Sequence, residues 1–142
     1  AELAGRRVAG QRGFGVGVFG ATGVVSSSVV ADTADVDGRF GDGVGAFRQL
    51  RPGRLELRDL RVTRSVRAGV SNHGAQVSLE GTELVCQAFD LDGEPFDGEP
   101  FRFEDLGGNG CGCPEASDPC VAVSAGLAPP APLPPVEPAE DE

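Results

Sequence analysis

The chain has 142 residues, enough for one domain with a modest core. Its formal net charge of −10 argues against nucleic acid as a partner, because phosphates would repel it. No run reaches the roughly 18 apolar residues of a membrane-spanning helix.

Taken in chain order, the opening "AELAGRRVAG" lacks an initiator methionine and an apolar signal-peptide core. It already reads as mid-structure, so further coils upstream of Ala1 are expected. Residues 1–91 are glycine-rich, with valine and leucine in short alternating runs that predict strands of about three to five residues. Residues 92–120 are dense in Gly, Pro, Asp, Glu and Cys and predict a capping loop. Residues 121–142 form a proline-rich acidic tail that cannot bury enough apolar surface to offset its ordering, and are expected to be disordered. No sustained 3.6-residue apolar period occurs, so almost no helix is predicted.

An outline recurs along the first 91 residues. Val25, Leu57 and Leu79 each precede a second apolar residue by five positions, at Val30, Val62 and Leu84. Leu3 and Val8 make a fourth such pair. The second positions, 8, 30, 62 and 84, lie at intervals of 22, 32 and 22 residues. Apolar positions that recur at about this period while the rest varies predict a solenoid. The long middle interval contains "ADTADVDGRFGDG", an inserted loop. Glycine density disfavours helical solenoids, there is no six-residue beat, and the fixed asparagine of leucine-rich repeats is missing. What remains is an all-β right-handed parallel β-helix of about four short coils, with a loop-rich C-terminal cap. In that reading Gly15 and Gly69, in the matching stretches "VAGQRGFGV" and "VTRSVRAGV", are corners where φ turns positive or a side chain would collide.

The stretch "GRLELRDLRVTRSVRAGVSNHGAQVSLEGTEL" resembles the pectin-lyase-like superfamily of right-handed β-helices, specifically the C-terminal coils of a bacterial secreted or surface protein. The resemblance covers roughly residues 1–90 and is a coil pattern, so it implies a fold more than an activity. It implies a non-catalytic secreted or cell-surface scaffold, glycan-binding or adhesive. The alternative is a fragment of a polysaccharide lyase or hydrolase whose catalytic coils lie upstream of Ala1.

No catalytic residue is expected in this chain. Lyases of that superfamily use clustered aspartates and an arginine base, and here no aspartate pair recurs at coil spacing. Arg58, Arg61, Arg64 and Arg67 are the candidate ligand-binding residues, since guanidinium groups pair with uronate carboxylates. The alternative is an exposed, charge-balanced coil with Glu56 and Asp59 interleaved. His73, the one histidine, is expected at a polar surface corner. Asp32, Asp35, Asp37 and Asp42 are candidate calcium ligands, alternate carboxylates followed by glycine, although their spacing departs from the full calcium loop. The alternative is a set of Asp-Gly turns. Cys86, Cys111, Cys113 and Cys120 lack zinc-site spacing and predict two disulfides, hence an extracytoplasmic protein. Three connectivities are open. One bridge from Cys86 would pin the capping loop over the open end, with Phe96, Phe101 and Phe103 covering the core.

Overall fold

The fold is described from a computed structural model, over residues 2–127. Among the described residues there are fifteen short strands and no helix, so none is present to cross a membrane. Most of the expected proline-rich tail, residues 128–142, lies outside the described residues.

The strands stack into three parallel five-stranded sheets, each taking every third strand in chain order. The first sheet holds β1 (Glu2–Ala4), β4 (Thr22–Ser26), β7 (Arg54–Arg58), β10 (Gln76–Glu80) and β13 (Arg102–Asp105). The second holds β2 (Arg7–Ala9), β5 (Val29–Ala31), β8 (Arg61–Thr63), β11 (Glu83–Val85) and β14 (Gly110–Gly112). The third holds β3 (Phe14–Phe19), β6 (Asp42–Phe47), β9 (Ala68–His73), β12 (Phe89–Glu94) and β15 (Ala122–Val123). The chain is therefore a parallel β-solenoid whose every coil visits three faces.

The register follows the spacing in the sequence. Leu3, Val25, Leu57 and Leu79 are successive partners in the first sheet. Val8, Val30, Val62 and Leu84 are successive partners in the second. Val16, Val44, Val70 and Leu91 complete the interior from the third. These residues form one continuous core, with Val30, Val44, Val62, Val70 and Leu84 fully buried. The inserted residues of the second coil leave the coil without shifting its rungs.

The turns between the first two sheets are made at left-handed residues: Gly5, Ser27, Asp59 and Gly81 singly, and Gly107 together with Gly108 in the last coil. Between the second and third sheets the same role falls to Gly10, Asp32, Arg64 and Cys86. Side chains disfavour this backbone by roughly 1–2 kcal/mol each. The stacking offsets that cost, because in the first four coils each corner N–H donates to a carbonyl of the next coil, as Ser27 does to Arg58 and Arg64 to Val85, both at 3.0 Å; in the last coil the Gly107 N–H donates to Asp105 Oδ1. Gly15 and Gly69 behave differently from expectation: their φ is not positive, and they sit within β3 and β9. Crowding is what requires glycine there. An added Cβ on Gly15 would come within 2.5 Å of Val30 Cγ1. At the equivalent Gly43 it would come within 2.4 Å of Val62 Cγ1 and 3.0 Å of the Gly69 carbonyl. Gly43→Ala should thus cost about 1–3 kcal/mol, as overpacking does, read as a lower urea midpoint; an unchanged midpoint would show that the coils can part without penalty.

The segment expected as a capping loop adds a fifth coil. It escapes the spacing rule because Asp105 and Cys111 occupy the rungs above Leu79 and Leu84. Phe103 pairs with Val77 and packs on the core end, and Phe101 fills the space left by Gly93. Phe96 instead lies against the Gly74 corner. Two disulfides, Cys86–Cys113 and Cys111–Cys120, tie this coil down and close the small ring.

Candidate functional site

The arginines of the third coil do not converge. Arg58 pairs with Glu56 on the first sheet and Arg61 with Glu83 on the second. Arg64 and Asp32 are stacked corner residues joined at 2.6 Å and 3.1 Å. That exposed pairing, chiefly its hydrogen bond, lowers the Asp32 pKa and raises that of Arg64. Arg67 grips Asp42 through Nε at 2.8 Å and Nη2 at 2.6 Å. Each guanidinium already has a carboxylate, and they point to different faces.

The same contacts disperse the candidate calcium ligands. Asp32 and Asp42 are held by arginines, and Asp42 also accepts from the Ala68 N–H at 3.0 Å. Asp35 accepts from the Gly38 N–H at 2.7 Å, bracing a tight turn in which Asp37 and Gly38 both have positive φ. That turn closes the Val36–Arg39 bridge, the geometry an Asp-Gly pair favours. Asp97 and Gly98 repeat it between Phe96 and Glu99. Among the described residues no three acidic, histidine or cysteine side chains gather to hold a metal.

The notable cluster lies instead on the outer face of the third sheet. Two rungs run along it from coil to coil: Gly17, Gly45, Ser71 and Asp92, and beside them Phe19, Phe47, His73 and Glu94. None belongs to the main core. Phe19 stacks on Phe47 at 4.8 Å and Phe47 on His73 at 5.2 Å, close to the strand spacing itself. Phe47 bends over Gly45, whose missing side chain makes the room. Phe14 meets Phe47 edge-on at 4.9 Å, and Phe40 from the inserted hairpin screens Phe14. Arg67 lies over Phe40.

His73, expected at the surface, is therefore only 1% exposed. The strand places it on an aromatic ladder that its local "SNHGA" context does not reveal. Burial lowers its pKa to about 4, against the opposing pull of Asp42 and Glu94, so the imidazole is neutral near pH 7. Neither of its ring nitrogens has a hydrogen-bond partner among the described residues, and the buried Ser71 hydroxyl beside it also has none. Buried polar groups of this kind are uncommon and costly.

No family model, curated protein or solved structure matches the chain. The site must be read from its own geometry.

At its C-terminal end the row finishes in two carboxyls. Burial raises the Asp92 pKa to about 7, helped by a hydrogen bond with Glu94 and opposed by the Ala125 N–H and Arg67. Burial alone would raise Glu94 too, but hydrogen bonds from Asp92, Ser124, Leu127 and Gly126 together hold it below the usual carboxylate value. Asp92 Oδ2 is a buried oxygen that receives no donor among the described residues. Near neutral pH this buried row therefore holds a hydroxyl, a neutral imidazole, a half-protonated carboxyl and a carboxylate beside aromatic rings. Asp90, Asp92, Glu94 and Asp97 of "DLDGEPFDGE" have the outline of a second, weaker calcium-loop candidate, but they gather no metal-holding group among the described residues, and nothing in that segment marks Ser71 and His73 as neighbours of Asp92 and Glu94.

Proposed function

We propose that this chain is a non-catalytic secreted or cell-surface scaffold of the pectin-lyase-like β-helix type, whose third sheet presents a binding face for glycan. The observation that carries the reading is the pair of buried, unpartnered polar groups, Ser71 Oγ and the His73 imidazole, on an aromatic ladder. Hydroxyl groups of a sugar would satisfy both, and ring faces suit its apolar side. The nearby charges favour a neutral sugar over a uronate, since Arg67 is already matched by Asp42 and Glu94 adds a negative charge. Two disulfides fit an oxidising, extracytoplasmic compartment.

Calorimetry is the suitable measurement, since the chain has no tryptophan or tyrosine to report binding. Neutral hexose oligosaccharides should bind with a dissociation constant that rises at least about tenfold in Ser71→Ala or His73→Ala, the loss of roughly one net hydrogen bond. Equal affinity in the variants would remove this face as the site.

A second reading, a polysaccharide hydrolase or lyase, draws on Asp92 and Glu94, whose environments push their proton affinities apart as an acid–base pair requires. Against it, both carboxyls are engaged by the chain itself. No cleavage of polygalacturonate is expected, with or without calcium. A rise in ultraviolet absorbance from unsaturated products would establish the lyase instead.

A further inference from the structure

After β15 the chain turns back onto the third sheet. Ser124 Oγ donates to Glu94 Oε1 at 2.6 Å, and the Ala125 N–H to Asp92 Oδ1 at 2.8 Å. The Gly126 and Leu127 N–H groups both donate to Glu94 Oε2, at 3.0 and 3.3 Å. Little else holds this segment. Val121 and Val123 are 67% and 42% exposed, and β15 pairs over two residues only. Its root is covalently fixed, because Cys120 is bridged to Cys111.

We propose that Ser124–Leu127 is a strap which closes the carboxyl end of the third-sheet row and opens without unfolding the solenoid, with Asp92 and Glu94 as its catch. Four hydrogen bonds onto two carboxyls make a contact that is strong when formed and quick to lose as a unit, since Ser124, Ala125 and Gly126 are exposed and Leu127 alone of the four is half-buried. The disulfide root keeps the open strap within reach and makes release reversible. This inference does not depend on the glycan reading, because every contact of the strap is made within the chain itself.

The catch is sensitive to pH through Asp92, which the strap touches directly. From β9, His73 is neutral above about pH 4, and Arg67, just before β9, is matched by Asp42 of β6. Glu94 is ionised throughout the neutral range, and Asp90, on the same strand, has Asp118 as its charged neighbour. The strap residues carry no charge of their own. Asp92, with a closed-state pKa of about 7, changes charge between pH 5 and pH 8; Asp90 is also raised by burial, but no strap donor reaches it. Opening returns it to water and towards the ordinary carboxylate value of 3.8. The closed state thus binds this proton more tightly, and its advantage is lost as pH rises from that ordinary value through about 7.

Amide hydrogen exchange, corrected for the intrinsic rate at each pH, tests this on the whole chain without ligand. The Ala125, Gly126 and Leu127 amides should be at least about tenfold more protected at pH 5 than at pH 8, one pKa unit or more of linkage. The Leu57 and Val62 amides should be equally protected at both. Asp92→Asn, which copies the protonated acid without titrating, should remove the pH dependence. Glu94→Ala should leave the strap amides unprotected at both pH values. Equal strap protection at pH 5 and pH 8 in the unsubstituted chain would overturn the proposal, as would strap amides that exchange only together with the core. The comparison of the unsubstituted chain at two pH values decides the matter even if a variant fails to fold.

Discussion

Replacing Arg67 with alanine should lower stability by about 3–5 kcal/mol, the range for removing one partner of a buried ion pair. Asp42 is fully buried, and its side chain has two guanidinium bonds and one backbone N–H. Without Arg67 a carboxylate would remain in the interior with the Ala68 N–H as its one remaining hydrogen-bond donor among these contacts. The loss would spread to the inserted hairpin, whose Phe40 lies under the guanidinium. Urea unfolding gives the magnitude, and Arg67→Ala combined with Asp42→Asn should recover part of it, since the buried charge is then gone. A loss below about 1 kcal/mol, the range of exposed pairs, would show that water reaches Asp42.

Opening the Cys86–Cys113 bridge should cost a comparable amount. Paired Cys86→Ser and Cys113→Ser substitutions release a loop with a sequence separation of 27, for which chain-entropy reasoning gives about 3–4 kcal/mol. Loss should fall first on the fifth coil. Its strands β13 and β14 offer Asp105 and Cys111 where the other coils offer valine or leucine, so apolar rungs do little to hold it. Hydrogen exchange should show β13 and β14 exposed while β7 and β8 stay protected. Equal loss in all coils would mean that the solenoid unfolds as one cooperative unit.

These two cases mark how far the fold was legible in the sequence. The rungs of Val25, Leu57 and Leu79, and of Val30, Val62 and Leu84, were readable because parallel stacking puts like side chains at a fixed offset in each coil. The fifth coil was not, because a polar residue and a cysteine replace its apolar rungs. The row on the third sheet was harder still. Gly17, Gly45, Ser71 and Asp92 stand side by side, yet they share no chemistry, and the inserted hairpin and variable loops make their spacing irregular. An outer rung is free to vary, so it leaves no periodic trace. The strap was hidden by composition: its attachment uses backbone N–H groups, which every non-proline residue has.

The disulfides also set how the molecule would bear tension. Parallel strands pulled from one end peel apart one hydrogen bond at a time, which resists little force. Here a pull on the tail enters at Cys120, crosses to Cys111, and from Cys113 passes to Cys86 in the corner of the fourth coil. The load thus travels along covalent bonds, crossing only the Cys111–Gly112 end of β14, and reaches a coil whose rungs Leu79 and Leu84 are buried. The last coil rides on this path rather than carrying it, and what could have been the weakest link under traction becomes a sheltered one.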